Sequence, residues 1–208
     1  TGGAVYVTVG SGISGVGGEL VLSAGTTNSA GMTGGHVLLK TGYSEQKTSG
    51  SLQLMTADGG AVGQSGFVVL STGATTAGDS GALYLGSGVS TVGAGGAVYV
   101  TVGSGDTGVG GELVLSAGTT TSASGSGGHV LLRSGFSTET SSGDLQLMTA
   151  NAGTAGVSGM IVLSTGSATD GDSGALYLGT GTGVGGVGGA VYVTVGSGDT
   201  GVGGELVL

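Results

Sequence analysis

Histidine is the side chain best suited to proton transfer or metal ligation near neutral pH, and this chain has two, His36 and His129. They lie 93 residues apart, each in the third place of Gly-Gly-His-Val-Leu-Leu. A catalytic or metal-binding histidine needs a second donor type beside it in each copy. The acid that recurs with it is Glu19, repeated as Glu112 in the preceding segment. One carboxylate per histidine is too few for a metal centre or a nucleophilic relay, so both histidines read as solvated or packed side chains. Asp170-Gly-Asp172 and Asp58-Gly-Gly60 have the residue types of an aspartate–glycine calcium loop. Such loops need an aspartate in every short repeat, and the matching positions here are Ala77-Gly-Asp79 and Asn151-Ala-Gly153. The glycines of Gly181-Thr-Gly-Val-Gly-Gly186 match a nucleotide loop in composition, but no helix pattern follows to receive a phosphate. Gly-Ser-Gly-Asp-Thr, at 103–107 and 196–200, reads as a turn rather than a nucleophile elbow. The expectation is therefore no catalytic residue, no cofactor-binding residue, no metal ligand and no cofactor.

The elements around these residues are far more regular than the residues themselves. Gly95-Gly-Ala-Val-Tyr-Val-Thr-Val-Gly103 recurs at 2–10 and at 188–196. Every other segment is a variant of it, in units of 15, 17, 15, 16, 15 and 15 residues that close a 93-residue cycle. Full cycles run 2–94 and 95–187, and a partial third runs 188–208. Within each unit the fourth and sixth places are Val, Leu or Ile and the eighth is small (Val, Ala, Thr or Ser). That is period two, the signature of a strand. Connectors of about eight residues of Gly, Ser, Thr, Ala and Asp follow, with glycine supplying the turn angles. Near-identical connectors after every unit suggest a chain that always winds the same way, and two nested periods mark a repeat architecture. The expected fold is all-β: a parallel β-solenoid of strand-plus-connector units with equivalent strands about 4.8 Å apart. Both lengthened units are even-numbered within the cycle, which favours two units, about 31 residues, per turn. The expected organisation is a single continuous solenoid array over 1–208, a segment of a longer chain or fibre.

Composition bounds the function classes. Glycine makes up 54 of 208 residues, without proline and without the every-third-residue spacing of collagen. There is no cysteine for a disulfide or thiolate site. The formal charge of −9 comes from scattered acids, and Lys40, Lys47 and Arg133 are the whole basic complement. Nucleic-acid binding needs clustered bases, so no nucleic-acid partner is expected. No apolar run approaches the roughly 20 residues of a membrane helix, and the alternating segments are shorter than the roughly 9–11 residues of a barrel strand, so no membrane insertion is expected. Asn28-Ser-Ala30 and Asn151-Ala-Gly153 lack the third-position hydroxyl of an N-glycosylation site, whereas the Ser/Thr-rich connectors are candidates for O-linked glycans.

The recurring Ser-Gly-x-Leu-x-Leu-x-Thr-Gly strand and connectors such as Ser167-Ala-Thr-Asp-Gly-Asp-Ser-Gly174 resemble the Gly/Ser/Thr-rich β-solenoid repeat proteins of cell surfaces and extracellular fibres. That resemblance covers all the units and implies a scaffold or adhesion role, an extracellular or cell-surface location, and no transferable functional residue. The expected function is structural and non-enzymatic: a segment of an extracellular filament or surface stalk that associates with itself end to end and laterally. The alternative is a repetitive adhesin or an ice- or glycan-binding array. An ice-binding face would want a regular threonine lattice, and the seventh places read Thr8, Ser23, Lys40, Met55, Ser71 and Gly86.

Overall fold

A computed structural model describes residues 2–208. Among the described residues there is no helix and no strand. The expected all-β parallel solenoid, with its two units per turn, is therefore overturned. In its place the backbone alternates between stretches without regular secondary structure, which hold the Val/Leu cores, and connectors that each contain one short bend or turn. Two units of chain are distinguished, Thr1–Val100 and Thr101–Leu208. Both have this same construction.

Surface area shows how far the chain is from a packed domain. It exposes 20572 Å² for a mass of 19.1 kDa. A folded monomer of that mass exposes about 8,400 Å² and a fully unfolded one about 28,000 Å². Among the described residues no hydrophobic or polar residue is buried. The alternation written in the sequence survives as a difference in shielding in some units only: Leu38 is 82% exposed between Val37 and Leu39 at 59% and 60%, but in the first unit Val5 is 91% exposed and Tyr6 86%. Neighbouring side chains thus leave opposite sides of an extended backbone, as period two requires, but nothing covers either side.

The hydrogen bonds explain why the alternation did not become a sheet. Folded proteins carry about one internal hydrogen bond per residue, mostly between backbone groups. Here the backbone–backbone bonds among the described residues are nine, and all nine lie within connectors or across their ends. None joins the middle of one extended stretch to another. A ladder between stretches would order about fifteen residues per added unit, each at roughly 1–2 kcal/mol of backbone entropy. Glycine loses the most freedom of any residue on ordering, and it occupies a quarter of this chain. The return would be a few Val and Leu side chains per unit. Local closure of a connector fixes far fewer residues, and that is the structure the chain adopts.

Candidate functional site: the connector closures

The recurring geometry of this molecule is at the connectors. In each, the eighth residue of one unit meets the second residue of the next. That second residue is glycine in all fourteen units, whereas the first alternates between Gly and Ser. Six connectors are closed by a backbone bond from the second glycine to the glycine in the ninth place before it. The Gly35 N–H donates to Gly25 O at 2.8 Å, Gly128 to Gly118 at 2.9 Å, and Gly204 to Gly196 at 2.9 Å. Gly50 and Gly143 donate to Gly42 and Gly135, both at 3.0 Å, and Gly18 to Gly10 at 3.4 Å. Four more are closed by the eighth-place hydroxyl donating to the carbonyl of the second glycine. These are Ser87 Oγ to Gly96 O at 2.7 Å, Thr180 Oγ1 to Gly189 O at 3.0 Å, Thr149 Oγ1 to Gly159 O at 3.2 Å and Thr56 Oγ1 to Gly66 O at 3.3 Å.

At most second places a Cβ would crowd the eighth residue, although at Gly81, Gly143 and Gly174 it would make only ordinary contacts of 3.6 Å or more. A Cβ on Gly159 would sit 3.1 Å from Thr149 Cβ, and one on Gly96 would sit 3.2 Å from Ser87 Cβ. One on Gly18 or Gly111 would overlap the Cγ1 of Val9 or Val102. The first place has no such constraint: a Cβ on Gly17, Gly95 or Gly110 would meet nothing within 4 Å. At the crowded closures this accounts for a first place that takes serine beside a second place that does not. The shielding agrees with it, since Ala24, Thr41, Ala117 and Ser134, all eighth-place residues, are four of the six half-buried residues among those described.

Inside the connectors, hydroxyl side chains hold the bends. Ser44 Oγ accepts from the Lys47 N–H at 3.0 Å, Ser90 Oγ from Gly93 at 2.9 Å and Ser137 Oγ from Thr140 at 3.0 Å. These are the local side-chain turns that favour Ser and Thr in loops. Gly31 takes a φ of 79°, a left-handed conformation, and beside it the Met32 N–H donates to Ser29 O at 3.3 Å.

The residues with chemical potential are not gathered into a site. His36, His129, Glu19 and Glu112 lie exposed on extended stretches, while Asp58, Asp170 and Asp172 lie exposed in connectors. Among the described residues no group of three or more His, Asp or Glu side chains is placed to hold a metal ion. The glycine run 181–186 belongs to an ordinary connector, closed by Thr180 and Gly189 and turned at Gly185 with a φ of 78°. Among the described residues no helix is long and apolar enough to cross a membrane. The closure pair was the feature hardest to see in the sequence. Its signal is the invariance of glycine at the second place of fourteen units, set against a first place that tolerates serine.

No family model, curated protein or solved structure matches the chain.

Proposed function

We propose that this chain is a structural, non-catalytic protein that builds an extracellular filament or surface stalk by associating with further copies of itself. The observation that carries the reading is the exposure, in unit after unit, of an alternating Val/Leu stretch whose backbone groups are unpaired. Exposed apolar area on this scale exceeds what a solitary soluble protein retains. Unpaired extended backbone is also the feature natural proteins suppress to avoid joining edge to edge. The usual suppressors, lysine and proline, are nearly missing: there are two lysines and no proline. Repetition supports the same reading, because any unit of one copy finds an equivalent unit in another. The 93-residue cycle reproduces the exposed stretches, while no polar constellation is reproduced with them. The extracellular location rests on the resemblance of the Gly/Ser/Thr-rich repeats to those of cell-surface and fibre proteins.

The test is to follow the purified chain by sedimentation and electron microscopy as its concentration rises. Filaments appearing above a threshold concentration are expected. Leu54→Lys with Leu147→Lys places a charge on the alternating stretch of the fourth unit in both cycles and should raise that threshold. A chain that stays monomeric at every concentration reached, or filaments indifferent to these substitutions, would overturn the reading.

A further inference from the structure

The chain has six tyrosines, Tyr6, Tyr43, Tyr84, Tyr99, Tyr177 and Tyr192, all between 82% and 90% exposed. Exposure therefore does not distinguish among them, but position does. The connector between Tyr84 and Tyr99 is closed by Ser87 Oγ donating to Gly96 O at 2.7 Å. Tyr84 lies three residues before Ser87 and Tyr99 three residues after Gly96. In the next cycle Thr180 Oγ1 donates to Gly189 O at 3.0 Å, with Tyr177 three residues before and Tyr192 three residues after. Each pair is thus placed symmetrically about a closed contact, at the end of arms no longer than about 11 Å. Both members of each pair fall in the same unit of chain, the first within Thr1–Val100 and the second within Thr101–Leu208. The residue symmetric to Tyr6 about its closure is Val21, and Tyr43 lies inside a connector.

We propose that Tyr84–Tyr99 and Tyr177–Tyr192 are two oxidative cross-linking sites, each taking a dityrosine bridge across its closed connector. The co-reactant is hydrogen peroxide acting through a haem peroxidase. Each phenol gives up one proton and one electron to the oxidised haem, and the two phenoxyl radicals join through their ortho carbons. The hydrogens displaced from those carbons return to the phenol oxygens. The balance is two hydrogen atoms lost from the tyrosine pair, one carbon–carbon bond formed, and one peroxide reduced to two waters. Closure of the connector has already brought the arms to a common point, so the partner phenol is present at a high effective concentration. Without cysteine, no disulfide competes for the role of covalent staple. The geometry is independent of the filament reading, on which only the natural supply of oxidant depends.

Dilute full-length chain treated with a haem peroxidase and limiting peroxide, separated into monomer and oligomer, tests this. Dityrosine fluorescence in the monomer should map by mass spectrometry to 84–99 and 177–192. Tyr99→Phe should lower the monomer signal about twofold, and Tyr99→Phe with Tyr192→Phe about tenfold or more, while Tyr6→Phe with Tyr43→Phe leaves it nearly unchanged. Gly96→Ala, whose Cβ would sit 3.2 Å from Ser87 Cβ, should lower bridging at the first pair, and Gly95→Ala, which meets nothing within 4 Å, should not. Bridges spread evenly over all six tyrosines, dityrosine confined to oligomers, or no difference between Gly95→Ala and Gly96→Ala would each overturn the proposal. Mapped bridges in a chain that forms no filament would sink the structural reading and leave this one standing.

Discussion

Adjacent glycines at the same closure should respond differently to alanine. At Gly34 an added Cβ would lie 3.7 Å from Gly25 O, an ordinary contact. At Gly35 it would lie 3.1 Å from Gly25 N, 3.3 Å from Gly25 O and 3.3 Å from Ala24 Cβ. The crowding atoms are backbone and a Cβ, so no side-chain rotation relieves them, and the Gly35 N–H to Gly25 O bond at 2.8 Å must lengthen. Either alanine restricts the open chain, which favours the closed form by about 0.4–1 kcal/mol. Only Gly35→Ala also gives up the closing hydrogen bond, worth about 0.5–1.5 kcal/mol net. The two variants should therefore differ by about two- to tenfold in the opening equilibrium, since 1.4 kcal/mol is a factor of ten. The assay is amide hydrogen exchange at residue 35 by NMR, expressed as protection relative to the intrinsic rate of each sequence. Gly34→Ala should raise protection, and Gly35→Ala should leave it about two- to tenfold below that of Gly34→Ala. The second cycle offers an internal replicate, with Gly128 N–H donating to Gly118 O at 2.9 Å and an added Cβ 3.2 Å from Gly118 N. Equal protection in both variants at both sites would refute the idea that the second glycine is required by closure.

Gly31→Ala forces a side chain into the left-handed region at a cost of about 1–2 kcal/mol, and should show as lost protection of the Met32 amide that donates to Ser29. Raising the ionic strength should lower the concentration at which copies associate. Each copy carries −9, and the screening length falls from about 10 Å at 0.1 M salt to about 3 Å at 1 M; sedimentation at the two salts reads it. Circular dichroism of the dilute chain should lack both helix and sheet bands, and a sheet spectrum independent of concentration would contradict the structure. Thermal-hysteresis measurements should find no activity, because the seventh-place residues form no threonine lattice.

What the sequence determined by itself is where the chain bends. The positions of the connectors and their bends follow from glycine placement and are present, whereas the strands that period two predicts between them are not. Val37, Leu38 and Leu39 keep the expected alternation of shielding. The closure of ten of the thirteen connectors was latent in the same pattern, in the unbroken glycine at the second place and the small residue at the eighth. Pairing between stretches was not determined in this way. A run such as Leu83-Tyr-Leu85 states that its residues alternate but not what lies beside them, and strand propensity expresses fit to neighbours rather than a backbone preference. Whether Gly35 would stack under an equivalent strand or simply close on Gly25 depended on tertiary structure. There the entropy of ordering glycine-rich chain over fifteen-residue units outweighs what a few Val and Leu side chains return. The contact nearest in sequence formed, and the distant ladder did not.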